Sequence, residues 1–420
     1  MLKEYLQDAG IIADGAMGTY FSQLTGRDSS FSELANLASP DVIAGIHAEY
    51  IAAGARLIRT NTFSANTRAL NISRSEVRDL ILSGYELAVR AGRGREVFVA
   101  ADIGPIPDFG ENETDLTGKA IYEEYKFIVD TFLTAGADIF VFETFSNVDY
   151  LAEITKYLKR RRPEAFILTQ FATTPEGFTR RGISNQRIIK LVKSLGTVDA
   201  YGFNCGVGPT HLYQALTKLD FSGDTVAVFP NAGYPEVVNE RTIYIQNPGY
   251  FAELMKRISD LGVKILGGCC GTTPEHIRKL TEALAKPPDR STLVPRLELA
   301  VPSRPAAVQN NFSRRLRQRK FVVAVELDPP FDTDLSKIVR SARICKENGV
   351  DIITIADSPL GRARLDSVLL AAKIKREVGI DTMPHLCCRD RNLNALKSSL
   401  LAAYSEGIRN ILAVTGDSVA

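Results

Sequence analysis

Three of the six cysteines, Cys205, Cys269 and Cys270, fall where their thiols could meet. One strand-like run ends in Asn204-Cys205-Gly206, and roughly sixty residues later another ends in Gly267-Gly268-Cys269-Cys270-Gly271. Successive side chains of a regular strand point to opposite faces, so an adjacent cysteine pair cannot serve one apolar face. At a strand end flanked by glycines, the backbone is free to turn both thiols toward a third. Three thiolates with an open fourth position describe a zinc site of the catalytic kind. Other chemistries fit less well. An isolated cysteine is commonly a small buried hydrophobe, and a Cys269–Cys270 disulfide would close a strained ring. An iron–sulfur cluster normally takes four thiolates, and no fourth cysteine falls in this region. A thiol nucleophile needs a histidine base, but His47, His211 and His276 fall inside helical stretches, where solvated or capping roles are expected.

The elements that must hold these thiols repeat eight times before about residue 286. Short apolar runs begin near residues 10, 55, 97, 138, 165, 200, 225 and 263, each followed by a stretch with helical spacing. Continuous rather than alternating apolar strands indicate a parallel sheet buried on both faces. Eight such units predict an α/β fold, a (β/α)8 TIM barrel with the zinc at the carboxyl ends of its strands. Ser39-Pro40, Gly208-Pro209 and Thr273-Pro274 read as helix starts. The strand ends then carry Asp14-Gly15-Ala16-Met17-Gly18-Thr19, Asn61-Thr62-Phe63, Glu143-Thr144-Phe145, Cys205, Asn231 and Cys269-Cys270. Strands six and eight have one neighbour between them, so their ends can share a metal.

The wider composition narrows the function classes. The chain has 420 residues, 45% hydrophobic, and a net charge of +2, which gives no general attraction to nucleic acid. No apolar run is long enough for a membrane span, no leader stands at Met1, and six cysteines are too few for a disulfide scaffold. A cytoplasmic setting is expected. Residues 287–319 read as a proline-rich, basic linker that includes the run Arg314-Arg315-Leu316-Arg317-Gln318-Arg319-Lys320, expected to be a solvated face. The strand–helix rhythm restarts at 320–420 with four strands, the first half of a second (β/α)8-type barrel.

Residues 1–286 resemble the homocysteine S-methyltransferases. The resemblance is carried by Asp14-Gly15-Ala16-Met17-Gly18-Thr19, Thr60-Asn61-Thr62-Phe63, Glu143-Thr144-Phe145, Asn204-Cys205, Pro230-Asn231-Ala232-Gly233 and Gly267-Gly268-Cys269-Cys270-Gly271, in family order. It implies a barrel that binds homocysteine and passes a methyl group to its sulfur. Cys205, Cys269 and Cys270 match the zinc ligands, and Asn231 matches a fourth ligand when substrate is absent. Glu143 matches the anchor of the substrate ammonium, and the Gly18-Thr19 loop the holder of its carboxylate, with Asp14 and Asn61 beside them. The methyl donor is unread among betaine, S-methylmethionine, S-adenosylmethionine and a folate-derived methyl. The alternatives are another acceptor thiol such as selenohomocysteine, or a flavin- or folate-binding protein whose zinc barrel is only structural.

Residues 320–420 resemble the start of 5,10-methylenetetrahydrofolate reductase, a flavin barrel. Val325-Glu326-Leu327-Asp328-Pro329-Pro330, Pro384-His385-Leu386 and Ile411-Leu412-Ala413-Val414-Thr415-Gly416-Asp417 carry it. The resemblance implies FAD as cofactor, NAD(P)H as reductant and folate as substrate. Glu326 matches the general acid, a role suited to a carboxyl shielded from water, while His385 and Asp417 match flavin contacts. Ala356-Asp357 departs from the family, which has a hydroxyl side chain there. Cys387-Cys388 lacks a third thiol and reads as structural. Reductase activity is expected to be absent or impaired in these 420 residues. Expected partners are homocysteine, a small-molecule methyl donor and folate, with room for a homo-oligomer and without nucleic acid or membrane.

Overall fold

Eight apolar runs of the first unit form parallel strands: β1 (Ile11–Ile12), β2 (Leu57–Arg59), β3 (Phe98–Ile103), β4 (Ile139–Phe145), β5 (Phe166–Phe171), β6 (Ala200–Asn204), β7 (Val226–Phe229) and, after an antiparallel pair β8 (Pro235–Val238) and β9 (Arg241–Tyr244), β10 (Ile265–Leu266). Their order is β1-β10-β7-β6-β5-β4-β3-β2. A parallel bridge between Ala13 and Leu57 joins the two ends, so the sheet comes round on itself as the expected barrel. The computed structural model describes residues 2–107, 118–233, 235–238, 241–244, 247–285, 310–388 and 391–416. The chain divides into two units, Met1–Asp289 and Arg290–Ala420.

Strand alternation decides what fills the barrel. Ala13, Leu57, Ala100, Val141, Leu168, Ala200, Ala227 and Ile265 form one buried cluster, with Leu2 and Leu6 of the first helix against it. Two residues further along their strands, the same face carries Arg59, Asp102, Glu143 and Gln170, all buried. The interior is therefore aliphatic below and charged at the carboxyl end. A second layer, including Phe132, Phe140, Ile154, Ile188 and Phe251, packs the outward faces of strands against helices. Gly202 has a packing reason: a Cβ there would lie 1.7 Å from the Ala227 carbonyl oxygen, so only glycine lets β6 and β7 approach this closely.

The helices Pro40–Ala52, Pro209–Leu216 and Pro274–Ala285 each open on the proline read as a start signal. His276 serves as a cap, its Nδ1 accepting the Thr273 N–H at 3.2 Å. His47 corrects the expectation of a solvated or capping residue. It shares the inward stripe of its helix with Ile43, Ile46 and Tyr50, is fully buried, and has no hydrogen-bond partner on either ring nitrogen. Burial alone lowers its pKa to about 4, so it is neutral.

In the second unit, β11 (Ala324–Leu327), β12 (Ile352–Ile355), β13 (Asp381–Cys387) and β14 (Leu412–Val414) pair in parallel in that order. Helices Ser336–Glu347, Ser367–Val378 and Leu393–Ser405 alternate with them. Ile338, Ala342, Ile353, Ile355, Leu370 and Ile374 belong to its core. Part of the basic run lies in a helix, Asn311–Arg317, with no buried residues, while the proline-rich residues 286–309 fall outside the described part. Among the described residues, no helix is long and apolar enough to cross a membrane.

Candidate active site

β6, β7 and β10 build the thiol cluster. The Cys205 N–H donates to the Phe229 carbonyl at 3.0 Å, and the Cys269 N–H to Pro230 at 2.8 Å, so the end of β7 is clamped between the two cysteine segments. Cys205 sits at φ 54° and Gly206 at φ 72°. This left-handed pair costs about 1–3 kcal/mol at the non-glycine residue and turns the chain at the strand end. The Sγ atoms of Cys205, Cys269 and Cys270 lie within 4.8 Å of one another, with Cys205 and Cys270 at 3.8 Å. For Cys205, hydrogen bonding with Cys269 lowers the pKa, but Cys270 and burial outweigh it and push the thiol up to about 11. Cys205 and Cys270, with burial added, hold the Cys269 thiol well above its usual value. Three thiols this close cannot all ionise without a cation among them.

Arg59 organises the opposite side of the barrel mouth. It donates through Nε to Asp14 Oδ1 at 2.8 Å, and one terminal nitrogen reaches Glu143 Oε2 at 2.6 Å. The other donates to the carbonyls of Gly15 and Gly268 at 2.9 and 2.8 Å, and the guanidinium lies 4.8 Å from the Phe229 ring centroid. Burial pushes Asp14 and Glu143 upward while Arg59 pulls both back. Burial opposes the charge of the guanidinium, but Asp14 and Glu143 outweigh it and hold Arg59 well above its usual value. Asn204 links the two sides. Its amide donates to Thr144 Oγ1 at 2.8 Å, lies 3.4 Å from Glu143 Oε2 and reaches Cys269 Sγ at 3.9 Å, and its Oδ1 accepts the Thr144 N–H at 2.9 Å.

A cavity of about 340 Å3 joins these groups, its wall reaching from Asp14 and Thr19 through Arg59 and Glu143 to the three cysteines. The size suits a small amino acid with part of a second molecule. Gly18 and Thr19, expected in a loop, instead open the helix Gly18–Thr25, whose first-turn N–H groups have no intrahelical partner. Such a helix start favours a carboxylate. Thr19 Oγ1 also accepts the Gly271 N–H at 3.0 Å, tying that helix to the cysteine segment.

Asp14 and Asn61, expected as substrate contacts, also brace the wall of the cavity. Both Asp14 oxygens accept from Arg59, one from its side chain and one from its backbone N–H. The Asn61 amide donates to the Ser32 carbonyl and to Asn36 Oδ1 at 2.9 and 2.8 Å. Both line the cavity while holding its wall together. Asn231 is buried between Pro230 and Ala232, whose backbones bond those of Cys269 and Cys270, and its Oδ1 has no hydrogen-bond partner.

Arg59, Asp102, Glu33 and Asn204 were not picked out from the sequence as site residues. Glu33 lines the cavity and accepts the Ser64 N–H at 2.8 Å. The signal for Arg59 and Asp102 is a charge at an inward position near the end of an otherwise apolar strand.

In the second unit Glu326 is 3.5 Å from His385 Nε2 and its side chain is 58% exposed. Among the described residues β11 pairs with β12 alone, which leaves Glu326 on an edge strand. Asp357, at the family departure, accepts the Cys387 N–H at 3.0 Å and lies 3.3 Å from Arg391. Cys387 donates to the Asp357 carbonyl, and Cys388 is exposed. Asp417 lies outside the described residues.

Comparison with known proteins agrees with both halves of the chain. Residues 11–284 match the family model described as homocysteine S-methyltransferase, and residues 311–420 that described as methylenetetrahydrofolate reductase. A methionine synthase of Mycobacterium leprae (strain TN) is 30% identical over 389 residues, covering 87% of this chain and 31% of the relative. A methionine synthase of Mycobacterium tuberculosis (strain ATCC 25618 / H37Rv) is 31% identical over 314 residues, covering 69% and 26%. The chain thus spans under a third of the length of these relatives. Among solved structures, the metallated and oxidized forms of the homocysteine methyltransferase MmuM from Escherichia coli share the fold at 22% identity. Their TM-scores are 0.55 and 0.54, covering 67% and 65% of this chain and 99% and 95% of theirs.

Proposed function

The chain belongs to the homocysteine S-methyltransferase family, and from that premise we propose that its first unit transfers a methyl group to the sulfur of homocysteine, giving methionine. The observation that carries the proposal is the meeting of three thiols in one cavity wall with a buried carboxylate and a helix start. An acceptor that carries a thiol, an ammonium and a carboxylate matches that set of groups.

Zinc fits the thiol cluster. Three thiols this close call for a cation and the donor set suits zinc, while Asn231, one residue after the Pro230 that accepts the Cys269 N–H, has an unpartnered Oδ1. Cys205, Cys269 and Cys270 would hold the ion, with Asn231 as the ligand that gives way to substrate. Bound there, zinc lowers the pKa of the substrate thiol, so that the nucleophilic thiolate exists at neutral pH. The protein's own residues orient the rest. Glu143, fixed by Arg59 and Asn204, receives the ammonium, and the first-turn N–H groups at Gly18 and Thr19 receive the carboxylate. The surrounding apolar wall, with Phe229 under Arg59, keeps these charges from bulk water.

The test is to incubate the protein with homocysteine and, in turn, betaine, S-methylmethionine, S-adenosylmethionine and methyltetrahydrofolate, reading methionine. At least one donor should support turnover, and Glu143→Ala should raise the KM for homocysteine without changing metal content. Methionine formation that is indifferent to Cys205→Ser would reject the proposal.

For the second unit we propose a folate reductase region that does not by itself complete a flavin site. The match to the reductase family supports the assignment. The described strand ends offer Glu326, largely in water, and Asp357, already held by Cys387 and Arg391. That set does not enclose a flavin.

A further inference from the structure

We propose that Asp102 is a second anionic anchor for the ammonium group of homocysteine, sharing it with Glu143. This inference rests on the acceptor assignment above and adds a residue and a division of labour to it.

Position comes first. Asp102 is on β3 opposite Val141 of β4, and Glu143 stands two residues beyond Val141. Side chains two apart on a strand share a face, so both carboxylates project from neighbouring strands into the barrel interior. Both line the same cavity. Asp102 is only 5% exposed, and its Oδ1 has no hydrogen-bond partner. A buried oxygen left unsatisfied is destabilising, and a ligand that donates to it recovers that loss.

Charge comes second. The cavity wall carries the carboxylates of Asp14, Glu33, Asp102 and Glu143 against one guanidinium, Arg59. That guanidinium is directed to Asp14 and Glu143, so Glu143 meets substrate with one oxygen already neutralised. Asp102 has no such partner. Burial and the neighbouring Glu143 push its carboxyl well above the usual range, and Arg59, bonded elsewhere, offsets only part of this. An ammonium has three N–H donors and one positive charge, and it satisfies both deficits together. The methyl donor is less suited to this place. It must approach the sulfur held by Cys205, Cys269 and Cys270 on β6 and β10, whereas Asp102 sits within the ring on β3.

The experiment compares two thiols on zinc-loaded full-length protein by calorimetry: homocysteine and 4-mercaptobutanoate, which lacks the amino group. Asp102→Asn should weaken homocysteine about ten- to hundredfold, as for loss of a hydrogen bond to a charged group. The des-amino thiol should bind wild type and variant alike, and zinc content should not change. Asp102→Glu, which keeps the charge, should restore part of the homocysteine affinity and covers the case in which the asparagine variant folds poorly. Equal weakening of both thiols, or of neither, would overturn the role of Asp102 while leaving the acceptor assignment intact. Wild-type protein that binds neither thiol would overturn both.

Discussion

Arg59 shows how much of this site depends on one buried residue. Its guanidinium is 6% exposed and joins Asp14, Glu143 and two backbone carbonyls from opposite sides of the mouth. Removing one partner of a buried ion pair leaves an uncompensated charge and costs about 3–5 kcal/mol. Arg59→Met should therefore lower the thermal midpoint by several degrees and weaken homocysteine binding in the same protein, measured by calorimetric unfolding and titration. An unchanged midpoint would remove Arg59 from this role. The cysteines, Glu143 and Asn231 were legible in the sequence because their types stand out at strand ends. Arg59 and Asp102 were not, because they lie inside runs such as Leu57-Ile58-Arg59 and Val99-Ala100-Ala101-Asp102, where the apolar neighbours dominate. Recognising them needs the inward parity of each strand, which the pairing Arg59 with Ala100 supplies.

At the scale of elements, all eight first-unit strands and the proline-led helices were readable because buried parallel strands are short apolar runs punctuated by glycine and proline. What spacing did not reveal was the side on which His47 falls, although Ile43, Ile46 and Tyr50 share its stripe. Its buried state makes a pH prediction. The folded pKa is about 4, below the usual 6.5 of a histidine in an unfolded chain, so the unfolded state binds the extra proton between those values. His47 therefore contributes a loss of stability as pH falls from about 6.5 toward 4, at roughly 1.4 kcal/mol per pH unit. His47→Leu should flatten the acid side of the stability profile relative to wild type in denaturant titrations at pH 7, 6 and 5. Parallel profiles for the two proteins would contradict the buried, neutral assignment. The opening of the Gly18–Thr25 helix was similarly hidden, since a glycine at the first position reads more readily as a loop.

On the scale of the whole molecule, two units carry unequal machinery. The first closes its sheet through the Ala13–Leu57 bridge, and the second pairs four strands in an open order. That contrast predicts that the 420-residue protein supplied with FAD and methylenetetrahydrofolate retains little flavin through gel filtration and shows no turnover. Stoichiometric flavin with turnover would show that the second unit suffices. The account depends most on the thiol cluster as the place where substrate sulfur binds. Zinc K-edge absorption of the zinc-loaded protein, with and without homocysteine, reads the sulfur atoms around the metal. The structure predicts three sulfur neighbours and one lighter atom without substrate, four sulfurs with homocysteine, and no such shell in Cys269→Ser plus Cys270→Ser. A sulfur count that does not change when homocysteine is added would contradict the account.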